Sequence, residues 1–205
     1  MHEKVLTNEQ IELLAMIRLF KKSFYLVGGT AIALHLGHRQ SIDFDLFTGR
    51  AFNRKIIHQK ILASGYHIDK TLFASNEEFT LLINGVKVTF FKYPFDIPHE
   101  VIFNKFISLP SLIDLAAMKA YALGRRAKWK DYVDLFFIIK NHYSLNQITT
   151  RASDLFGDLF SEKLFRAQLS FFEDIDYTEE INYIGDGIKD EEIKIFLNTL
   201  ATQPF

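Results

Sequence analysis

Two aspartates, Asp43 and Asp45, stand two apart in the short apolar run SIDFDLF. On a strand over 42–47 the period of two puts both carboxylates on one face and Phe44 on the other. That pair suits Mg²⁺, a hard ion that keeps part of its water shell and is commonly held by one or two carboxylates together with substrate phosphates. Upstream, Gly28 and Gly29 follow the apolar run 24–27 and precede Thr30. They let the chain turn tightly into a helix whose free N–H groups attract phosphate. Taken singly, a Gly-Gly pair is also an ordinary turn, and Asp-x-Asp is also an ordinary solvated strand face. Their conjunction in one stretch points to half of a nucleotide site.

A second constellation lies in residues 119–134, KAYALGRRAKWKDYVD, where Lys119, Arg126, Lys128 and Lys130 surround Asp131 and Asp134. Lys130 and Asp134 are four apart and Asp131 and Asp134 three apart, so they occupy adjoining positions of one helix, with Lys119 and Arg126 supplied by the preceding helix or turn. Such a cluster can grip phosphates while Asp131 orients its cations. A solvated helix exterior has a similar composition, but Trp129 inside the cluster and the apolar LFFII after Asp134 tie this helix to a core.

The elements that must carry these groups follow from periodicity. Thr7 and Gln10 have capping-box spacing ahead of a helix over about 8–21. A strand over 24–27 leads to a short helix from Ala31 to Leu36, stopped at Gly37. The polar connection of His38, Arg39, Gln40 and Ser41 then enters the 42–47 strand, which places Arg39 and Ser41 near phosphates at the same edge. A helix over about 52–63 ends near Gly65, and a weakly alternating strand spans 66–73. Asn84-Gly85 between the runs 79–83 and 86–91 is a strong hairpin signal, because Asn-Gly supplies the two positive φ values of a type I′ turn. On its second arm Lys87, Thr89 and Phe91 share a face. Residues 103–109 suggest one short edge strand before Pro110. Helices follow at about 111–124, 129–141, 145–156, 161–171 and 187–199. The expected fold is α+β, a mixed sheet with flanking helices over 1–110 and a helical domain over 111–205 that contributes the basic motif to the cleft.

Composition narrows the class. The 205 residues are 48% hydrophobic and include 21 Phe, enough for a substantial core with much aromatic character. Residues 1–150 carry 19 Lys+Arg against 13 Asp+Glu, a net +6, whereas residues 151–205 carry 5 against 12, a net −7. The first part attracts phosphate and the tail repels it, which argues against nucleic acid binding over the whole surface. There is no cysteine, so disulfides and thiolate metal sites are excluded. No apolar run reaches the length of a membrane span, and the polar N-terminus lacks a signal-peptide core; a soluble cytoplasmic protein without membrane partners is expected.

The three motifs GGTAIAL, HRQSIDFDLF and KAYALGRRAKWKDYVDL, in that order, resemble the AbiEii/AbiGii toxin-like nucleotidyltransferases of the DNA polymerase β-like superfamily. The resemblance spans about residues 24 to 140. It implies transfer of a nucleoside monophosphate from a nucleoside triphosphate, with Mg²⁺ or Mn²⁺, to an RNA 3′ end or a protein hydroxyl. It further implies a toxin of a toxin–antitoxin or phage-defence system, with a cognate antitoxin as partner; the aromatic and acidic FFEDIDYTEE is a candidate surface for one. By motif position, Asp43 and Asp45 correspond to the metal-binding pair, and Gly28, Gly29 and Thr30 to the phosphate-binding turn. Arg39, Ser41, Arg126 and Lys130 join the nucleotide contacts. Lys119, Lys128 and Asp131 join the two aspartates as catalytic candidates. One position departs from the pattern: Thr89 stands where many of these enzymes place a third carboxylate, and a neutral hydroxyl cannot supply that charge. Asp96 is another acid that could approach the site, and a nucleotide-binding regulatory or partner-binding protein without turnover is the alternative.

Overall fold

The computed structural model describes residues 1–123 and 125–203, which form two compact units, Met1–Ser111 and Leu112–Phe205. The expected mixed sheet flanked by helices, followed by a largely helical region, is what the chain forms.

In the first unit, helix α1 (Asn8–Arg18) opens on the anticipated capping box, with Gln10 N donating to Thr7 Oγ1 at 3.3 Å and Thr7 N donating to Gln10 Oε1 at 3.1 Å. Strand β1 (Tyr25–Val27) runs directly into α2 (Gly28–Leu36), which Gly37 ends in a left-handed conformation, φ 71°. Strand β2 (Phe44–Thr48) and helix α3 (Arg54–Ala63) come next, then β3 (Ile68–Ala74) and the hairpin of β4 (Glu78–Ile83) and β5 (Val86–Lys92). Asn84 and Gly85, at φ 49° and 77°, make its turn as expected. The five strands are ordered β1-β2-β5-β4-β3, antiparallel except for the central β2–β5 pair. Alternation sorts the side chains: Phe44, Leu46, Val88, Phe90, Leu81 and Ile83 are buried on one face. Phe20 and Phe24 cap that layer, their rings 4.8 and 5.2 Å from Phe90 in edge-on contact.

Two expectations shift. The 42–47 strand begins at Phe44, so Asp43 sits at its entrance rather than within it. Residues 103–109 are not one strand. They belong to a small hairpin of β6 (Val101–Phe103) and β7 (Ile107–Leu109), because Asn104 adopts φ 49° and reverses the chain between two three-residue strands.

In the second unit α4 (Leu112–Leu123) packs against α5 (Trp129–Asn141), α6 (Leu145–Phe156) and α7 (Glu162–Leu169), and α8 (Asp190–Ala201) packs against α5 and α7. The expected end of α4 at 124 lies outside the described residues. Segment 174–179 turns back on the start of α5 through Asp176 N to Ala127 O at 2.7 Å and Trp129 N to Asp176 O at 3.1 Å.

The Asn-Gly turn is open to measurement. Gly85 has nothing within 4 Å of an added Cβ, so Gly85→Ala isolates the backbone cost of a positive φ. Denaturant titration should show a loss of about 1 kcal/mol; an unchanged midpoint would contradict the turn.

Candidate functional site

The first constellation is assembled by the β1–β2 register, in which Val27 lies opposite Asp45. The chain leaves β1 through Gly28 at φ 73°, and a Cβ there would stand 2.2 Å from Asp45 Oδ2. A Cβ on Gly29 would stand 2.7 Å from Arg39 Nη2 and 3.0 Å from Ser41 Oγ. Each glycine therefore keeps the backbone against a polar group of the neighbouring segment. Thr30 completes the join: its hydroxyl lies 3.0 Å from Ser41 Oγ and bonds closely to the carbonyl of Asp43, a carbonyl that Gln10 Nε2 also approaches at 3.4 Å. Arg39 is buried and donates Nη1 to Gln40 O at 2.9 Å. Gly28, Gly29, Thr30, Arg39, Ser41, Asp43 and Asp45 thus meet at one end of the sheet. Arg39 is buried at this junction.

The face carrying Asp45 continues across β5 and β4. Asp45 lies beside Thr89, and Thr89 beside Thr80, their hydroxyls 3.4 Å apart. Thr80 in turn donates to Glu78 Oε1 at 2.8 Å. The carboxylate linked to Thr89 is therefore Glu78, one strand further on. Asp96 instead approaches the Tyr25 ring system, where its charge adds to burial in raising the phenol's pKa. Lys87 Nζ is 2.6 Å from Asp43 Oδ2, a contact that neutralises one of the two aspartates. The hairpin register made Glu78 and Lys87 findable: a two-residue Asn-Gly turn dictates the pairings Leu82–Lys87 and Thr80–Thr89, and hence one shared polar face.

These donors can be tested against a divalent ion. Among the described residues no group of three or more His, Cys, Asp or Glu is placed to hold one. The Asp45 carboxylate, beside a glycine without a side chain and two residues from Asp43, fits an ion that takes its remaining oxygens from water and a triphosphate.

The second constellation divides in two. Lys119, Asp131 and Asp134 are buried together. Lys119 Nζ bonds to Asp131 Oδ1 and lies 3.0 Å from Asp134 Oδ2, while Arg126 Nε, on an exposed side chain, donates to Asp131 Oδ2 at 3.1 Å. Burial alone would raise the Asp131 pKa, but the charges of Lys119 and Arg126 hold it below the usual carboxylate range. Asp134 pairs with Lys119 and not with Lys130. Lys128 and Lys130 both bond to Glu179, whose pKa burial would raise but which the two ammonium groups bring down to about 2. Glu179 lies some fifty positions away in the acidic tail, and no local pattern announces it.

Two outcomes follow. Gly28→Ala forces a positive φ on a Cβ and pushes the Asp45 carboxylate aside, and should cost about 1–2 kcal/mol in thermal or denaturant unfolding. For Asp131 the folded pKa is depressed, so its stabilisation is present above the unfolded value and lost as pH falls through the folded one. The stability gap between wild type and Asp131→Asn should be full above about pH 4 and shrink below it; a gap constant to pH 2 would show that Asp131 is not ionised in the fold.

Comparison with known proteins bears on this geometry. Residues 12–100 match the family described as nucleotidyl transferase AbiEii toxin, type IV TA system. This family-level match bears out the resemblance and covers both the glycine turn and the aspartate pair. An uncharacterized protein of Aquifex aeolicus (strain VF5) is 34% identical over 126 residues, which are 58% of this chain and 59% of that protein's length. The nucleotidyltransferase toxin MenT4 of Mycobacterium tuberculosis is similar in structure, with a TM-score of 0.63 at 12% identity over 95% of this chain and 82% of that one. A putative nucleotidyltransferase from H. pylori has a TM-score of 0.60 at 16% identity over 98% and 94%. At these identities the two structures establish a shared fold.

Proposed function

We propose, from the AbiEii match over residues 12–100 and the site it covers, that the protein transfers a nucleoside monophosphate from a nucleoside triphosphate to an RNA 3′ end or a protein hydroxyl. The observation that carries the reading is the junction of Gly28, Gly29 and Thr30 with Asp43 and Asp45 at the end of β1 and β2. The N–H groups at 29–31 receive phosphate oxygens, and buried Arg39 with Ser41 keeps the turn and its electrostatic sign fixed. Asp43 and Asp45 would hold Mg²⁺ or Mn²⁺, which would offset charge on the transferred phosphoryl group. Asp43 would take this role once its contact with Lys87 is broken. Within the second unit Arg126, Lys128 and Lys130 are candidate phosphate cations, with Lys119 and Asp131 holding the start of α5 in place. A role in a cytoplasmic toxin–antitoxin or phage-defence system, with a cognate antitoxin, belongs to the same proposal.

A second reading has its own observation. Asp45 has Thr89 beside it in place of a third acid, and the linked carboxylate, Glu78, is spent on a hydroxyl. A nucleotide-binding protein without turnover would look the same at this position.

Labelled triphosphates incubated with RNA and protein pools separate the two. Wild type should label one pool, and Asp43→Ala or Asp45→Asn should abolish it, a loss of at least about a hundredfold. Equal labelling by wild type and both variants would sink the assignment of the aspartates. Calorimetric binding of a triphosphate with Mg²⁺ in the absence of any labelling would favour the second reading.

A further inference from the structure

The first unit has a cavity of about 820 Å³ at the other end of the same strands, where β2 leaves through Thr48 to Arg50 and β5 through Lys92 to Phe95. Thr48 is three residues beyond Asp45, so this cavity begins roughly 10 Å along the strand from the aspartate site. Its volume is that of a small-molecule site. Four cations line it, Lys21, Lys22, Arg50 and Lys92, against the carboxylates of Glu77 and Asp96. Lys92 lies 3.7 Å from Glu77, and the other three cations sit on exposed residues. Rings fill the rest of the wall: Tyr93 lies between Phe47 and Phe95, 4.9 and 5.3 Å from them, and His99 stacks flat on Tyr25 at 4.2 Å.

Tyr25 supplies an independent sign. Its side chain is 4% exposed, it lines the cavity, and its hydroxyl is buried without a hydrogen-bond partner. Burial and then the Asp96 charge raise its pKa, so the group stays an O–H donor at neutral pH. A buried donor with no acceptor forfeits the whole of its solvation, and a ligand oxygen that reaches it regains that loss.

We propose that this cavity is a second nucleotide subsite, in which a base packs against the Tyr93–Phe95 rings, its phosphate meets Lys21, Lys22 and Arg50, and the Tyr25 hydroxyl donates to an oxygen of the same unit. Flat rings interleaved with cations select a base joined to a phosphate over a plain anion, which needs no ring. The unit is either a free mononucleotide or one nucleotide of an RNA strand. In the second case the subsite rests on the transferase reading and holds acceptor RNA beside the aspartates.

Binding tests this without turnover. Calorimetry with AMP and anisotropy with a fluorescein-labelled hexaribonucleotide, both without divalent metal, are run on the full chain carrying Asp43→Ala and Asp45→Asn, which silences the first site. Binding of AMP and hexamer with similar affinity identifies a mononucleotide site, and a hexamer at least about tenfold tighter identifies a strand. Adding Lys21→Ala, Lys22→Ala and Arg50→Ala, all at exposed residues, should weaken either ligand by about tenfold or more. Tyr25→Phe should raise the melting temperature of the unliganded protein and weaken binding by about fivefold. Absence of binding by both ligands at millimolar concentration, affinity unchanged in the triple-cation variant, or inorganic phosphate binding as tightly as AMP would each overturn the subsite. The labelling experiment on wild type is unaffected by any of these results, so failure here and failure of the transferase reading are separable.

Discussion

The close approach of a bare backbone to a carboxylate is the constraint on which the first unit depends. Val27 must pair with Asp45 for β1 and β2 to register, and the chain must then leave β1 at once through Gly28 in a left-handed conformation. A side chain at that position would occupy the space of Asp45 Oδ2. The sheet register, the direction of α2 and the exposure of the carboxylate are consequently a single geometric fact. Thr30 and Gln10 reinforce it by fixing the Asp43 carbonyl from two helices, so that even the part of the motif outside the strand is held by α1 and α2.

The second unit relies on compensation of charge. Lys119, Asp131 and Asp134 are all removed from water, and two carboxylates with one ammonium would leave an excess of negative charge. Arg126, whose side chain remains half exposed, makes up the difference from the surface. Such a group gives little net stability over an apolar core of equal volume, but breaking it is costly, so it fixes the geometry of α4 against α5. Lys128 and Lys130 apply the same logic to the tail. They anchor Glu179 and so draw part of an acidic segment onto the start of α5, while Trp129 donates to Asp190 at 3.0 Å.

Much of this was legible in the sequence because its signals are local. The Thr7 capping box, the Gly37 stop, the Asn84-Gly85 hairpin and the helices over 129–141 and 145–156 each depend on residues within one or two turns of one another. The resemblance came from motif order and the fold class from the pattern of elements; the AbiEii match over residues 12–100 bears out the first and the observed architecture the second. What escaped is non-local or conformationally rare. Asn104 takes a positive φ without a following glycine, so the β6–β7 reversal carried no turn signature. Glu179 meets Lys128 and Lys130 across a separation that no periodicity spans. Glu78 was legible, since the hairpin register puts it on the face of Thr80 and Thr89.

The parallel pairing of β2 with β5 has a consequence for how the sheet comes into being. Every other pairing in the five-stranded sheet joins strands consecutive in the chain, whereas Asp45 meets Thr89 only after a closure of about 40 residues. Loop entropy makes that contact late relative to the β4–β5 hairpin, which its turn can nucleate alone. A chain still emerging from synthesis therefore holds the glycine turn and the aspartates long before it holds the polar face they share with β5. The polar face around Asp45 is complete only once β5 has joined β2.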